Sequence, residues 1–419
     1  METTIPPVGK QRYGNATLYR QIQQDAALLL ESYGVAVSPR TAAKIMKAMP
    51  AAEVPSLVYS PESGRFYLGQ EVLKTCMDRV RQGADFWPAG FGTGGMAAYI
   101  VDENGPRSGE NGDMRRLAEL FGQTDMLTNL QSSFNVCARI KRHDIARRER
   151  VEVTVIDDMI AQANGKLIMP TVLSDAAYDR LRYFSGQGHR LGVALSIIST
   201  FMTVSDEMID PFLKAVSRGL PYIMNSMPIG GLTGPYSMSA LATLAQAEAL
   251  FGLVLGQLLN PGIKAINAAM PTIADMTCKD MPMMFGTIAN TMLNILLAEL
   301  NIHLGIPTCQ SACSHHRDSL DEEALTRSAE TYNLVLRYDH QILRHLFGFS
   351  AQLNDFSIDD MVRQLELFQK IAAAPTAIEL PEPAEYDPLG IEAIFEGFER
   401  RDFRSLDHTL RNIGRSFIG

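Results

Sequence analysis

The apolar positions of the chain follow two periods, and from about Phe86 onward these periods alternate. Short β-rich stretches, typical of buried strands, are followed by stretches with apolar residues three and four positions apart, typical of helices. Eight such units can be counted. The pattern predicts strands near residues 86–100, 127–136, 167–173, 192–200, 222–228, 263–269, 308–313 and 343–349. It predicts helices at 113–121, 151–163, 176–187, 207–217, 237–259, 283–300, 322–337 and 358–373.

This alternation predicts an α/β fold. Short connections between strand and helix favour a parallel sheet, and eight units favour closure into a TIM-type (β/α)8 barrel. An open, doubly wound sheet is the alternative. Two helical patterns and a hairpin pattern precede the first unit, and a segment rich in Pro, Ala and Glu follows the last. We therefore expect an N-terminal helical and hairpin cap (1–85), the barrel (86–373), and a linker with a short C-terminal helical tail (374–419).

Composition narrows the class of protein. Apolar residues make up 46% and charged residues 20% of the chain, as expected of a soluble globular protein. The net charge of -9 argues against binding to nucleic acid or to anionic lipid. The N-terminus lacks the continuous apolar segment of a signal peptide, and five cysteines indicate reduced thiols. These features predict a cytoplasmic protein.

The longest apolar stretch, residues 240–259, approaches the length of a membrane span. It contains Gln246, Glu248 and Gln257, and it ends at Asn260-Pro261-Gly262. Polar side chains of this kind are costly in a bilayer. We therefore expect a buried helix here and no membrane partner.

Residues 90–95 formally satisfy the G-x-G-x-x-G pattern of dinucleotide-binding loops. Such a loop should follow an apolar strand and open a helix, yet a β-like stretch, 96–101, follows it here. A glycine-rich bend at the first strand is the favoured interpretation.

Cysteines and histidines cluster at the end of the seventh predicted strand, at Cys309, Cys313, His315 and His316. They could supply zinc ligands, although their spacing matches no closed structural zinc pattern, and buried cysteines in a strand are the alternative. The two histidines stand where a loop should emerge at the carboxyl ends of the strands, the face that carries chemistry in such barrels. An ordinary polar loop remains the competing interpretation.

Residues 224–235 combine two prolines with three glycines just before the long helix that starts near Ser237. Free amides at a helix start favour an anionic group such as a carboxylate or phosphate. A tight turn between strand and helix explains the glycines equally well.

Residues 228–235, together with 245–250 and 256–262, resemble the trimethylamine methyltransferase family. Further similarity lies at 90–95, 113–120 and 407–411. The resemblance implies a (β/α)8 barrel that moves a methyl group from a methylamine or quaternary amine to cob(I)alamin. That corrinoid cofactor would be carried by a separate corrinoid protein. The chain contains no pyrrolysine, so the resemblance favours a betaine-like quaternary amine over trimethylamine.

A trimethylammonium group offers no hydrogen-bond donor, so aromatic faces should bind it. The aromatic candidates near predicted strand ends are Phe91, Tyr99, Phe134, Tyr236 and Phe349. A substrate carboxylate could be held by His315, His316, Arg317, Asn225 or the amides near Gly231.

Position and resemblance together make His315 and His316 the candidate catalytic residues, with no metal ligand assigned. The expected partners are a small quaternary amine and a corrinoid protein, and homo-oligomer formation stays open. Two other functions compete. One is a zinc-dependent barrel enzyme that uses the Cys309 to His316 cluster, and the other is a non-catalytic binding or sensor protein.

Overall fold

A computed structural model describes residues 10–141 and 143–413. The first described elements are helices and three short strands, which pair with one another in antiparallel fashion. Asn15 caps the first helix by accepting hydrogen bonds from the amides of Thr17 and Leu18. The N-terminal elements are α1 (Ala16–Leu28), β1 (Val35–Ala36), α2 (Pro39–Ala48), β2 (Val58–Ser60), β3 (Arg65–Tyr67) and α3 (Gln70–Arg81).

Strands and helices then alternate along the chain. The strands are β4 (Gly90–Gly92), β5 (Tyr99–Asp102), β6 (Gly105–Arg107), β7 (Leu127–Gln131), β8 (Leu167–Met169), β9 (Val193–Leu195), β10 (Ile198–Ser199), β11 (Thr203–Val204), β12 (Tyr222–Ser226), β13 (Ile229–Gly230), β14 (Ala265–Ala269), β15 (Thr272–Ile273), β16 (Cys309–Ser311), β17 (Ile342–Arg344), β18 (Phe349–Ser350) and β19 (Asp355–Phe356). The helices are α4 (Asn111–Gln123), α5 (Ile145–Gln162), α6 (Asp175–Gly186), α7 (Ile209–Ser217), α8 (Met238–Leu259), α9 (Ile288–Leu304), α10 (Glu322–Val335), α11 (Ile358–Ala373), α12 (Gly390–Arg400) and α13 (Asp407–Asn412).

Two parallel sheets form the centre of the molecule. One has the order β16-β17-β4-β7-β8, and the other has the order β14-β12-β9. Parallel bridges join the sheets at both edges, between Ile168 and Leu191 and between Asn267 and Thr308. The amide of Gly192 donates to the carbonyl of Ile168 at 2.8 Å, which extends the first of these contacts. The α/β prediction is thus confirmed, and each of these strands has a partner on both sides.

Several predicted boundaries differ from the observed ones. The first predicted strand, 86–100, is interrupted after β4: residues 93–98 lie outside the strands, and only its last two residues belong to β5 of the β5–β6 hairpin. Helix α5 begins earlier than predicted because Asp144 caps it by accepting from the amide of Arg147. Helix α9 begins later than predicted, after its cap Thr287. Helix α3 had no prediction.

Helix α8 lies in the core of the molecule. It contacts α1, α3, α9 and α12. Among the described residues it is the one helix long and apolar enough to span a membrane, yet 94% of its apolar window is buried inside the protein. Its polar side chains have partners. The side chain of Gln246 bonds with Asn267 and Asn301, and that of Gln257 pairs with the turn at Gly262 and Ile263. The expected buried helix is confirmed.

Candidate active site at the carboxyl ends of the parallel strands

Arg344, the last residue of β17, extends its side chain into the space between the two parallel sheets. Its Nη2 donates to the carbonyl of Ala268 on β14 at 2.8 Å, and its Nη1 donates to Oε1 of Gln131 on β7 at 3.3 Å. Both partner strands lie two positions away from β17, on opposite sides. The guanidinium group therefore crosses the interior, and Arg344 is only 2% exposed.

An apolar cluster from both sheets shares this interior. Side chains alternate across a strand, so the inward positions of several strands meet here. Its members are Trp87, Leu167, Met169, Ile223, Ile266, Ala268, Cys309 and Ile342. Burial raises the pKa of the Cys309 thiol, which keeps it protonated. The interior is therefore apolar near the strand centres and polar at Gln131 and Arg344.

His345 follows Arg344 and has a positive φ of 68°. Its Nδ1 lies 2.9 Å from the hydroxyl of Ser311, and its Nε2 lies 2.9 Å from the carbonyl of Gly95. Burial, followed by the charge of Arg344, lowers the pKa of His345 to about 3. The amide of Gly95 also donates to Nε2 at 3.1 Å, so the neutral ring is held by both backbone polar groups of Gly95 and by the hydroxyl of Ser311.

The glycines at 90–95 allow other side chains to approach the backbone closely. A Cβ on Gly92 would collide with the side chain of Asn129, and a Cβ on Gly94 would collide with the ring of His345. Gly94 also has a φ of +80°, which favours glycine. No helix opens directly after these residues, since the β5–β6 hairpin comes first. This geometry agrees with the glycine-rich bend and lacks the helix of a dinucleotide site.

A cavity of about 430 Å³ opens above these residues. Gln352 closes one side of it, where its Oε1 accepts a hydrogen bond from the amide of Met283 at 3.1 Å. Three consecutive residues beside the cavity, 351–353, have positive φ values of 45°, 58° and 67°. The lining residues are Met96, Ala97, Ala98, Asn135, Met283, Ala351, Gln352, Leu353 and Asn354. They follow β4, β7, β15 and β18, so the cavity lies at the carboxyl-end face.

The predicted residues that follow β16 differ in their surroundings. His315 is buried, and its Nδ1 has no hydrogen-bond partner among the described residues. Burial lowers the pKa of His315 to about 4, so its ring is neutral at neutral pH. His316 is exposed. Arg317 forms ion pairs with Asp321 at 2.7 Å and with Glu323 at 3.0 Å. Its charge is therefore balanced by its own loop and helix.

The five predicted aromatic residues do not form one cage. Phe134 and Phe349 both contact Phe356, with ring centroids 5.7 and 4.9 Å apart, and Phe349 lies 5.0 Å from the ring of His345. The other three lie elsewhere. Phe91 packs on Phe368 of α11, Tyr99 is 45% exposed on β5, and Tyr236 donates to the carbonyl of Ala274.

Asn225 lies on β12 in register with Ala268, the residue whose carbonyl accepts from Arg344. Its Nδ2 donates to the carbonyl of Leu195 at 3.2 Å. Its Oδ1 is buried and has no hydrogen-bond partner within residues 10–141 and 143–413. Asn225 and Arg344 thus both lie beside Ala268, at the same height along the strands.

The turn at residues 228–235 uses its own polar groups. The amide of Gly231 donates to the carbonyl of Gly234 at 2.9 Å, so it is already paired. At the start of α8 the anion is the chain's own Asp387, whose carboxylate accepts from the hydroxyl of Ser237 and lies 2.7 Å from Nε2 of His408. Asp387 of the C-terminal tail thus lies beside Ser237, the residue that precedes α8. The tight-turn interpretation accounts for the glycines.

The two cysteines of the proposed zinc cluster lie in different places. Cys309 belongs to the interior cluster between the sheets, whereas Cys313 belongs to the main core and its thiol donates to the carbonyl of His315. Within the described part of the chain, no group of three or more His, Cys, Asp or Glu residues could hold a metal ion. The geometry gives the zinc alternative no support.

Sequence reasoning missed Arg344, His345, Gln131 and Ser311 as site residues. One signal was present in the sequence. Arg344 and His345 are two basic residues inside an apolar stretch, 342–349, that is otherwise typical of a buried strand. A charged residue in such a strand is rarely buried without a specific role.

Comparisons with known proteins agree with this architecture. The monomethylamine methyltransferase MtmB of Methanosarcina barkeri is similar with a TM-score of 0.51 and 10% identity, over 98% of this chain and 88% of that one. The hydroxylamine complex of MtmB matches with the same values. The glycine betaine methyltransferase of Desulfitobacterium hafniense (strain Y51) is 29% identical over 86 residues, which are 20% of this chain and only 18% of that protein.

A family comparison covers much more of the chain. The family described as "Trimethylamine methyltransferase (MTTB)" matches residues 103–418, which is well over half of the sequence. The match includes β7 to β17, the glycine-rich turn and the buried helix α8. The chain therefore belongs to the trimethylamine methyltransferase family.

Proposed function

We propose that this methyltransferase moves a methyl group from a betaine-like quaternary amine to the cob(I)alamin of a separate corrinoid protein in the cytoplasm. The family match over residues 103–418 carries the proposal. The local similarity to a glycine betaine methyltransferase supports the substrate class. The corrinoid supplies the nucleophile, and the chain's own residues orient the methyl donor and exclude water.

We also propose that the eight parallel strands form one closed (β/α)8 barrel, flanked by the cap at 1–85 and the tail at 374–419. The bridges at both edges of the two sheets support closure. The reach of Arg344 to strands on either side supports it too. In such a barrel the carboxyl ends of the strands carry the active site.

The carboxyl-end face also suits a protein partner. Several large apolar side chains are exposed there, including Met96 at 49% and Met227 at 43%. Methionine is flexible and adapts to different partner surfaces. A corrinoid protein that docks over the cavity could bring its cobalt close to the bound methyl group. Inside, Phe134 and Phe349 supply aromatic faces for the quaternary ammonium.

The activity is tested by spectroscopy. The purified protein is mixed with cob(I)alamin, either free or on a corrinoid protein, and with glycine betaine, carnitine, choline or proline betaine. We expect methylcobalamin to form with at least one of these donors and without NAD or ATP. The same corrinoid protein is shown to be active with another methyltransferase as a control. If no methylcobalamin then forms with any of the four donors, the result would favour the non-catalytic binding protein.

Within this site we propose that His315 or His316 orients the substrate by hydrogen bonding to its polar end. The buried, unpaired Nδ1 of His315, judged among the described residues, supports His315. Exposure gives His316 less support. Each histidine is replaced by Ala and by Gln, since Gln restores a donor. Loss of about tenfold in methyl transfer corresponds to roughly 1.4 kcal/mol of recognition. If both Ala variants keep full activity, this assignment is wrong.

A further inference from the structure

We propose that Arg344 is the positively charged group of the active site that holds the carboxylate of a zwitterionic substrate inside the ring of strands, in addition to the hydrogen bond proposed for His315 or His316. The proposal rests on the proposed function, because it names the part of the substrate that this site recognises. Arg344 takes the place of Arg317 and the amide of Gly231 as the group that binds the carboxylate, because those two groups have other partners.

The first argument is charge. Arg344 is buried, and in the described chain no Asp or Glu forms an ion pair with it. A buried charge is expensive unless a group of opposite sign lies nearby. Burial lowers the pKa of Arg344, which expresses this cost. A bound anion would supply the missing partner.

The second argument is geometry. A guanidinium group has five N–H donors. Nη1 and Nη2 reach Gln131 and Ala268, while Nε is buried without a hydrogen-bond partner among the described residues. A carboxylate accepts through two oxygens and can bridge two donors of one guanidinium group. Arg344 therefore has the donor capacity for a carboxylate.

The third argument is the neighbouring acceptor. Asn225 lies in register with Ala268, and its Oδ1 is also buried without a partner in the described part of the chain. An unpaired oxygen attracts the positive end of a ligand, whereas an unpaired N–H of Arg344 attracts the negative end. The pair fits a zwitterion such as an N-methylated amino acid better than it fits a simple cation.

The fourth argument is the nearness of the cavity. His345 follows Arg344 in the sequence and contacts Gly95. Met96, the residue after Gly95, lines the cavity of about 430 Å³. Ala351 to Asn354 line another part of it. Gly95 and the buried ring of His345 thus lie between Arg344 and the residues that line the cavity.

The test measures binding without any corrinoid. Calorimetry compares glycine betaine, choline and acetate on the wild type, on Arg344→Met and on Arg344→Lys. The matched control is Arg190→Met, an arginine at the amino end of the strands that also donates to a backbone carbonyl, that of Phe86. We expect glycine betaine to bind the wild type and Arg190→Met at least about tenfold more tightly than choline. Arg344→Met should abolish this preference.

Lysine keeps the charge but lacks the planar fork, so Arg344→Lys should weaken glycine betaine binding by at least about tenfold. If circular dichroism shows that Arg344→Met does not fold, the binding of glycine betaine to Arg344→Lys decides the test. Equal wild-type affinity for glycine betaine and choline, no carboxylate binding by the wild type, or unchanged binding by Arg344→Lys would each overturn the proposal. Carboxylate binding that depends on Arg344 without any methyl transfer would leave it standing while contradicting the proposed function. Binding of acetate to the wild type that is lost in Arg344→Met would support the proposal, because acetate carries only the carboxylate.

Discussion

The carboxyl group of Glu248 is buried beneath β12, where the hydroxyl of Ser226 donates a hydrogen bond to it. Burial raises the pKa of Glu248 to about 8, and the hydrogen bond from Ser226 opposes this rise. In the unfolded chain the pKa of a glutamate is about 4.3. Between these two values the folded state binds more protons than the unfolded state, so the free energy of unfolding falls as the pH rises.

The variant Glu248→Gln should remove that slope. Its amide keeps a hydrogen-bonding group beside Ser226 but does not titrate in this range. We expect the unfolding free energy of the wild type to fall between about pH 5 and pH 8 more steeply than that of the variant. Urea denaturation across this range measures it. Glu103→Gln, at an exposed position, is the control and should follow the wild type. Parallel curves for all three proteins would contradict the raised pKa.

Single residues were the hardest features to predict from the sequence. His315 and Asn225 could be proposed because they stand at the ends of apolar stretches. The roles of Arg344 and His345 depend on Gln131 and Ser311, which lie on other strands, and on Gly95, which follows β4. Gln131 lies 213 positions from Arg344 and Gly95 lies 250 positions from His345, and contacts over such separations leave no local pattern. Among the aromatic candidates, the pattern could not tell that Phe91 faces α11 and not the interior.

Among the elements, the short segment that follows β4 shows how close packing limits the choice of residue. Replacing Gly94 with Ala imposes a side chain at a φ of +80° and also places a Cβ against the ring of His345. At Gly105, with a φ of +97°, an added Cβ would meet no other atom within 4 Å. Gly105→Ala therefore reports the backbone strain alone, about 1–2 kcal/mol.

We expect Gly94→Ala to lower the free energy of unfolding by roughly 1–3 kcal/mol more than Gly105→Ala, because it adds the overpacking of His345. Chemical denaturation of both variants measures the difference. Methyl transfer should also fall in Gly94→Ala and stay near the wild-type rate in Gly105→Ala. Equal destabilisation of the two variants would mean that His345 moves aside without cost.

Most strands and helices could be predicted because their apolar periods are regular. The long helix 237–259 was predicted almost to the residue, since a strong turn and Asn260-Pro261-Gly262 delimit it. The first strand was predicted too long. The alternation of apolar and polar residues continues past Gly94 and Gly95, whereas the extended backbone of β4 ends at Gly92. Closure of the strands into a barrel and the domain limits stay predictions, since periodicity carries no information about long-range pairing.

At the scale of the whole molecule, Glu299 of α9 forms hydrogen bonds that hold residues 13–19 against the core. Its carboxylate accepts from the amides of Tyr13 and Gly14 and from the hydroxyl of Tyr19. Glu299→Ala should lower the free energy of unfolding by about 3 kcal/mol or more, because it leaves these donors buried without acceptors. Residues 10–20 should also exchange their amide hydrogens faster, measured by mass spectrometry.

Glu330→Ala is the control for this variant, because Glu330 lies on α10 and its exposed ion pair with Arg327 should contribute less than about 1 kcal/mol. Unchanged amide exchange near Tyr13 in Glu299→Ala would show that the N-terminal segment is held by its apolar contacts instead.

The burial of α8 has a consequence for synthesis of the chain. The helix contacts α1 and α3, which leave the ribosome before it, and α9 and α12, which leave after it. Domains generally complete their folding only when all their parts have been made. Until residue 400 has emerged, part of this apolar helix therefore has no partner, and exposed apolar surface favours aggregation. We expect nascent chains that end between α8 and α12 to recruit chaperones, and those that extend beyond α12 to release them.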